Sequence, residues 1–168
     1  VQTAAGEYTV TVSLADKTSY VWSDGTTADL SYRFVIAKAS VVTPAKDVVP
    51  HVYNGGEIRY DITPSNDYTV TGDVATEAGT YKVVVSLNDK ANKTWPDGTT
   101  DDLIYTFTVE PKTPLVPVKD RKTYTYTGAE QTYYIAPNDA YVVTGNKATD
   151  AGVYTVVVSL KDKKNTAW

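Results

Sequence analysis

Slid against itself by 73 residues, the chain aligns without a gap, and this internal period constrains the fold more than any other feature of the sequence. Gly6, Gly79 and Gly152 coincide, as do Tyr8, Tyr81 and Tyr154, then Leu14, Leu87 and Leu160, and finally Trp22, Trp95 and Trp168. Of the 39 positions in 1–39, 20 are identical to 74–112, and of the 55 in 41–95, 27 are identical to 114–168. Agreement of this extent at constant register identifies a tandem duplication. The elementary fold must therefore close within about 73 residues.

The phase of the repeat sets the expected domains. Residues 40–112 form one complete unit, 1–39 correspond to its second half, and 113–168 to all of it except the last strand. Boundaries near 39/40 and 112/113 are marked by the Lys/Ala/Ser stretch at 37–40 and by Glu110-Pro111-Lys112-Thr113-Pro114, where proline interrupts ladder pairing. A chain that opens on Val1 and contains no Met reads as a processed or excised piece.

Val, Thr and Tyr supply 64 of the 168 residues, and branching at Cβ or a flat ring suits a pleated, half-buried surface. Alternation and turn residues then place strands in the complete unit. A first extended stretch covers about 41–53, followed by Glu57–Ile62, Tyr68–Gly72, Thr80–Leu87 and Leu103–Val109, with 88–102 as a loop. Tyr81, Val83, Val85 and Leu87 share one face of their strand; Leu103, Tyr105, Phe107 and Val109 are the inward residues of theirs. Short strands with turn signals every eight to twelve residues predict an all-β, small antiparallel sandwich.

Asp150-Ala151-Gly152-Val153-Tyr154-Thr155-Val156 resembles the D-x-G-x-Y-x-C signature of immunoglobulin domains, with Val156 where the second disulfide Cys would sit. The other copies read Glu77-Ala78-Gly79-Thr80-Tyr81-Lys82-Val83 and Ala4-Ala5-Gly6-Glu7-Tyr8-Thr9-Val10. Together with Tyr-x-Tyr-Thr-Gly-x-Glu at 124–130 and Asp67-Tyr68-Thr69-Val70-Thr71-Gly72, the pattern resembles the bacterial Ig-like tandem repeats of large secreted and cell-surface proteins. The resemblance implies Ig-like β-sandwich repeats. It also implies that the hydroxyls of Tyr8, Tyr81 and Tyr154 return to the backbone a few residues upstream, as a structural corner. It brings stalk or adhesin architecture and an extracellular location, and no catalytic residue.

Composition excludes several chemistries. With no Cys and one His, disulfide scaffolds, thiol nucleophiles and multi-His metal sites have no ligands. A net charge of −4 argues against nucleic acid as a partner. No apolar run approaches the roughly 20 residues that span a bilayer, and no signal peptide is recognisable. A sandwich this small leaves little room for an enclosed cleft, so no enzyme is expected.

The candidate sites are few. Trp22, Trp95 and Trp168 recur between the last two strands and are read as packing at the repeat ends, an exposed sugar-stacking face being the functional alternative. Asp97, Asp101 and Asp102 offer three carboxylates within six residues, a density that calcium uses, although an Asp-Gly turn with solvated flanks is the simpler account. No other cofactor is expected. Lys90 and Lys163, Asn92 and Asn165, and Glu57 and Glu130 recur and could supply an intramolecular Lys–Asn amide bond, but Lys and Asn share a polar loop and the first copy has Ser19 instead. His51 aligns with Tyr124 and is expected on a solvent-facing strand position.

A domain of this size buries only about 60% of its unfolded surface, so without disulfides it depends on packing its ends against neighbours. Half-sandwiches at 1–39 and 113–168 need completion, by neighbouring repeats of the chain or by identical chains end to end, with Leu30, Tyr32, Phe34 and Ile36 standing where a following unit lacks its final strand. The expected role is a structural, non-enzymatic region of a bacterial extracellular filament, stalk or adhesin, packing or complementing end to end into an extended fibre. The alternative is a glycan- or protein-binding module of a surface adhesin, using loops around Asn54-Gly55 and Trp95-Pro96 against a host partner.

Overall fold

The computed structural model describes residues 1–168 and is all-β, without a helix. Its strands are β1 (Gly6–Val12), β2 (Leu30–Ile36), β3 (Ala39–Ser40), β4 (His51–Val52), β5 (Ile58–Arg59), β6 (Tyr68–Thr71) and β7 (Val74–Ala75). They continue as β8 (Gly79–Leu87), β9 (Lys93–Thr94), β10 (Leu103–Glu110), β11 (Gln131–Thr132), β12 (Tyr141–Thr144), β13 (Lys147–Ala148) and β14 (Val157–Leu160). The largest sheet has the order β4-β10-β8-β6, and the other pairings are two-stranded.

The chain forms two compact units, each drawing on more than one repeat. The first comprises Val1–Ala45, Thr63–Val70 and Val85–Leu103. In it β1 and β2 pair antiparallel from Gly6 opposite Ile36 to Val12 opposite Leu30, and β3 runs parallel to β9. Trp95 is buried against Tyr68 with ring centroids 6.2 Å apart, and Lys93 Nζ reaches the Asp67 carboxylate at 2.5 Å.

The second unit comprises Lys46–Ile62, Thr71–Val84 and Ile104–Trp168. Here β4 lies parallel to the end of β10, while β5 pairs with β7, β11 with β13 and β12 with β14, all antiparallel. Its core is aromatic: Phe107 meets His51, Tyr60 and Tyr81 at centroid distances of 4.8, 5.7 and 5.8 Å, and Tyr60 stacks on Tyr105 at 6.1 Å.

Strict period-2 alternation explains why β8 and β10 are the longest strands of the complete repeat. In β10, Tyr105, Phe107 and Val109 are buried while Ile104, Thr106 and Thr108 face solvent; in β8, Val83, Val85 and Leu87 are buried. Gly72 closes the turn after β6 with φ of +76°, and a Cβ there would run into the carbonyl oxygen of Lys82; Gly145 meets the same condition at Thr155.

Several local expectations are corrected. The stretch 41–53 is not one strand: within it only β4 is a strand, because Pro44 and Pro50 have no N–H to give a ladder and Asp47 Oδ1 draws the Val49 N–H into a turn at 2.8 Å. Glu57–Ile62 shortens to β5. The loop 88–102 contains β9, and the parallel pairs β3–β9 and β4–β10 depart from a purely antiparallel arrangement. His51 does not face solvent; it is partly buried, edge-on to Phe107.

The repeat supplies its own comparison of burial. Phe107 is 1% exposed, whereas its counterpart Phe34 is 41% exposed. Phe107→Ala should therefore cost about 3–5 kcal/mol and Phe34→Ala about 1 kcal/mol or less, read from chemical denaturation. Equal losses would contradict this assignment of the core.

Candidate functional site

The loop that follows the long strand of each repeat reads Asp89-Lys90-Ala91-Asn92 in the complete unit and Asp162-Lys163-Lys164-Asn165 in the last. Asp89 accepts the Asn92 main-chain N–H at 3.0 Å and the side-chain NH2 at 2.9 and 3.2 Å. Asp162 accepts the Asn165 N–H at 3.0 Å, its side-chain NH2 at 2.8 Å, and the Lys164 N–H at 3.1 Å. With its amide nitrogen committed to a carboxylate, each asparagine has its carbonyl oxygen left to offer.

That oxygen meets the preceding repeat. Asn92 Oδ1 accepts the Ala5 N–H at 2.7 Å, and Asn165 Oδ1 accepts the Ala78 N–H at 2.7 Å. The same asparagines accept again through the main chain, from the Ala39 N–H at 2.8 Å and the Lys112 N–H at 2.9 Å. Each inter-repeat linker is thus stitched to the next repeat's loop. In the first junction the stitch extends to Val41 N–H on Thr94 O at 2.8 Å. In the second, Pro114 stands at the equivalent of Val41 and has no N–H, and Ala167 N–H returns to Lys112 O at 3.1 Å, beside the Lys112–Thr166 bridge.

The corner tyrosines shape the backbone that the asparagines read. Tyr8 OH donates to Ala4 O at 2.8 Å, Tyr81 OH to Glu77 O at 2.8 Å and Tyr154 OH to Asp150 O at 2.9 Å. The first two therefore hold the turns from which the Ala5 and Ala78 N–H groups project. Charged groups add to each junction: Lys38 Nζ donates to Lys90 O at 2.7 Å, and the Lys164 ammonium pairs with Glu77. Asn165 is buried, which makes its satisfied hydrogen bonds a condition of folding there.

The first copy carries a variant of the loop. Asp16 Oδ1 accepts the Thr18 N–H at 2.8 Å, the Thr18 hydroxyl at 2.6 Å and the Ser19 N–H at 3.2 Å, so the loop keeps its acid but has no amide at position 19. A second aspartate ties together each repeat's entry. Asp47 accepts from the Asp61 N–H at 2.8 Å and lies 3.0 Å from His51 Nε2, while Asp120 accepts the Tyr134 N–H at 3.0 Å and the Tyr124 hydroxyl. Tyr124 thus does for Asp120 what His51 does for Asp47.

These bonds hold the carboxyls below the ordinary range. The Tyr124 hydroxyl and the Lys122 and Tyr134 N–H groups lower Asp120 to about 2. Asn92 lowers Asp89, and Asn165 lowers Asp162. For Asp47, burial pushes upward, but the N–H groups of Asp61 and Val49 and the His51 contact outweigh it.

The other predicted residues take different places. Trp95 is buried with Nε1 donating to Asp101 O at 2.7 Å; Trp22 Nε1 donates to Ala28 O at 2.6 Å; Trp168 lies 5.9 Å from Tyr141, half exposed. The tryptophan packing partners at 95 and 168 are therefore Tyr68 and Tyr141 of their own repeats. Asp97 caps a turn through the Thr99 N–H at 2.9 Å, Asp102 pairs with Lys90 at 2.8 Å, and Asp101 contributes its carbonyl to Trp95. The three carboxylates are not gathered, and no group of three His, Cys, Asp or Glu able to hold a metal ion occurs. Lys90 and Asn92 are directed to Asp102 and Asp89 and not to each other.

Sequence reasoning missed Asn92, Asn165, Asp47 and Asp120 as structural ligands. The available signal was their identity between copies: Asp and Asn at 89 and 92 recur at 162 and 165, and Lys46-Asp47 recurs at 119–120.

Asn165→Ala should leave the Ala78 N–H without its acceptor and cost about 1–3 kcal/mol in equilibrium unfolding, with Asn92→Ala acting likewise at Ala5; unchanged midpoints would contradict the assignment. Because the folded aspartate pKa values lie below the unfolded value of about 3.9, their stabilisation is complete above it and is lost as pH falls through the folded values. The melting temperature should be flat from about pH 7 to 5 and fall between about pH 4 and 2; a fall that is already complete by pH 5 would refute this. Comparison with protein-family models, curated proteins and solved structures returned no match.

Proposed function

We propose that the chain is a structural, non-enzymatic region of a bacterial extracellular filament, stalk or adhesin, built of Ig-like β-sandwich repeats that pack end to end into an extended fibre. One observation carries the reading. The same atoms, an asparagine carbonyl held by an aspartate and an alanine N–H at the tyrosine corner, meet at both repeat junctions, with the partners 87 residues apart each time. A contact that recurs in step with the sequence period gives every repeat the same attachment to its predecessor, which is what a regular fibre needs.

The burial of Trp95 weighs against the glycan-binding alternative. At 1% exposure, with its ring against Tyr68 and its N–H on Asp101, the indole has no free face for a sugar. In the neighbouring loop Asp97 caps a turn and Asp102 pairs with Lys90, which is a structural use.

Small-angle X-ray scattering tests the proposal. A compact globule of this length has a radius of gyration of about 15 Å. The fibre reading expects a distinctly larger value and an elongated distance distribution, with greater flexibility in the Asn92→Ala/Asn165→Ala double variant. A value near that of the globule would contradict it.

A further inference from the structure

One local plan recurs in the loops of this chain: a side-chain oxygen accepts the main-chain N–H two residues on. Asp24 accepts from Thr26 at 2.9 Å, Asn54 from Gly56 at 2.8 Å, Asp97 from Thr99 at 2.9 Å and Asn138 from Ala140 at 2.8 Å. Between the bonded residues stand Gly25, Gly55, Gly98 and Asp139. The four turns are alike in geometry and unlike in chemistry. Only Asn54 joins a side-chain amide to a following glycine; each of the other six asparagines is followed by a residue that carries a side chain.

An asparagine carboxamide can be attacked at Cγ by the main-chain nitrogen of the next residue, which closes a five-membered ring. Two conditions ease the attack: a nitrogen not crowded by a Cβ, and a donor on the carboxamide oxygen, where negative charge develops. Asn54 meets both. Gly55 has no Cβ and a φ of +89°, and the Gly56 N–H already rests on Asn54 Oδ1. The loop lies between β4 and β5 and is exposed from Asn54 to Glu57, so water reaches it. The other sites each fail one condition. Asp24 and Asp97 are held ionised by the N–H and hydroxyl groups of Thr26 and Thr99, and an ionised carboxylate is a poor electrophile with no amine to expel. Asn138 has the same turn, but the nitrogen after it belongs to Asp139. Asn92 and Asn165 have their amide nitrogens committed to Asp89 and Asp162.

We propose that Asn54 is a site of self-modification, at which the folded chain converts a neutral amide into a carboxylate with water as the only co-reactant. The Gly55 nitrogen gives its proton to water and bonds to Asn54 Cγ; the bond from Cγ to the side-chain nitrogen breaks, and that nitrogen takes up a proton and leaves as ammonia. Water then adds to either carbonyl of the cyclic imide and opens it. One opening leaves an aspartate; the other leaves an isoaspartate, with the main chain routed through the former side chain. The change falls at a junction, because Asn54 and Gly55 line one groove with Lys112 and Lys161. It makes that groove one charge more negative beside the linker that Asn165 holds. The last repeat has Thr127-Gly128 at the equivalent turn, so the conversion is confined to the complete repeat. The inference stands on this loop and not on the fibre reading.

Peptide mapping of the aged chain tests this. The folded wild-type chain is held at mildly alkaline pH and physiological temperature, sampled over time and cut with trypsin, which releases residues 47–59 with Asn54 as their only side-chain amide. That peptide should gain the mass of an amide turned acid at least tenfold faster than Asn138 is converted, and at a rate no lower than in the urea-unfolded chain. Its products should include isoaspartate as well as aspartate, whereas Asp24 and Asp97 should form no isoaspartate over the same period. Conversion of Asn54 that is tenfold slower in the folded chain than in urea would show that the fold protects the site and would overturn the proposal. Aspartate as the sole product, which marks direct hydrolysis without the ring, would overturn it too, as would equal rates at Asn54 and Asn138 or isoaspartate at Asp24 or Asp97.

Discussion

An aspartate that captures the amide nitrogen of an asparagine three residues later is the interaction on which the arrangement of repeats depends. The capture does two things at once. It closes the Asp-Lys-x-Asn loop on itself, and it turns the asparagine carbonyl outward as a preoriented acceptor. Across from that acceptor stands an alanine N–H held in place by a corner tyrosine of the preceding repeat. Neither partner needs to reorganise to meet the other, so little ordering entropy opposes the contact.

The long strands provide the frame for this contact. β8 ends in the loop that carries Asn92, and β10 leads into the linker whose Lys112 N–H reaches Asn165. Burial of Val83, Val85, Phe107 and Val109 fixes these strands, and the aromatic cluster around Phe107 ties the entry of the repeat, through His51 and Asp47, to its last strand.

Legibility in the sequence followed the range of the interactions. β8 and β10 could be read almost to the residue because alternation is local and long enough to be unambiguous. The first extended stretch could not, since Pro44, Pro50 and the Asp47 turn compete with pairing over only a few residues. The parallel partners of β3 and β4 were also hidden, as alternation fixes which face is buried and says nothing of which neighbour is chosen or in what direction. Asn92 and Asn165 looked like loop polar residues because their acceptor role depends on an N–H 87 residues away. The tyrosine hydroxyls, by contrast, reach carbonyls only four residues upstream, a return that the resemblance to immunoglobulin domains implied and that the residues alone did not dictate. Asp97 and Asp102, close in sequence, turn to different local partners, the Thr99 N–H and Lys90, while Asp101 offers Trp95 its main-chain carbonyl.

Amide hydrogen exchange at Ala5 and Ala78, followed residue by residue by NMR, tests the junction most directly. The account predicts that both N–H groups are protected in the intact chain, that Asn92→Ala releases Ala5 alone, and that Asn165→Ala releases Ala78 alone. Exchange at the rate of open peptide at both positions in the unaltered chain, or protection that survives loss of the facing asparagine, would contradict it.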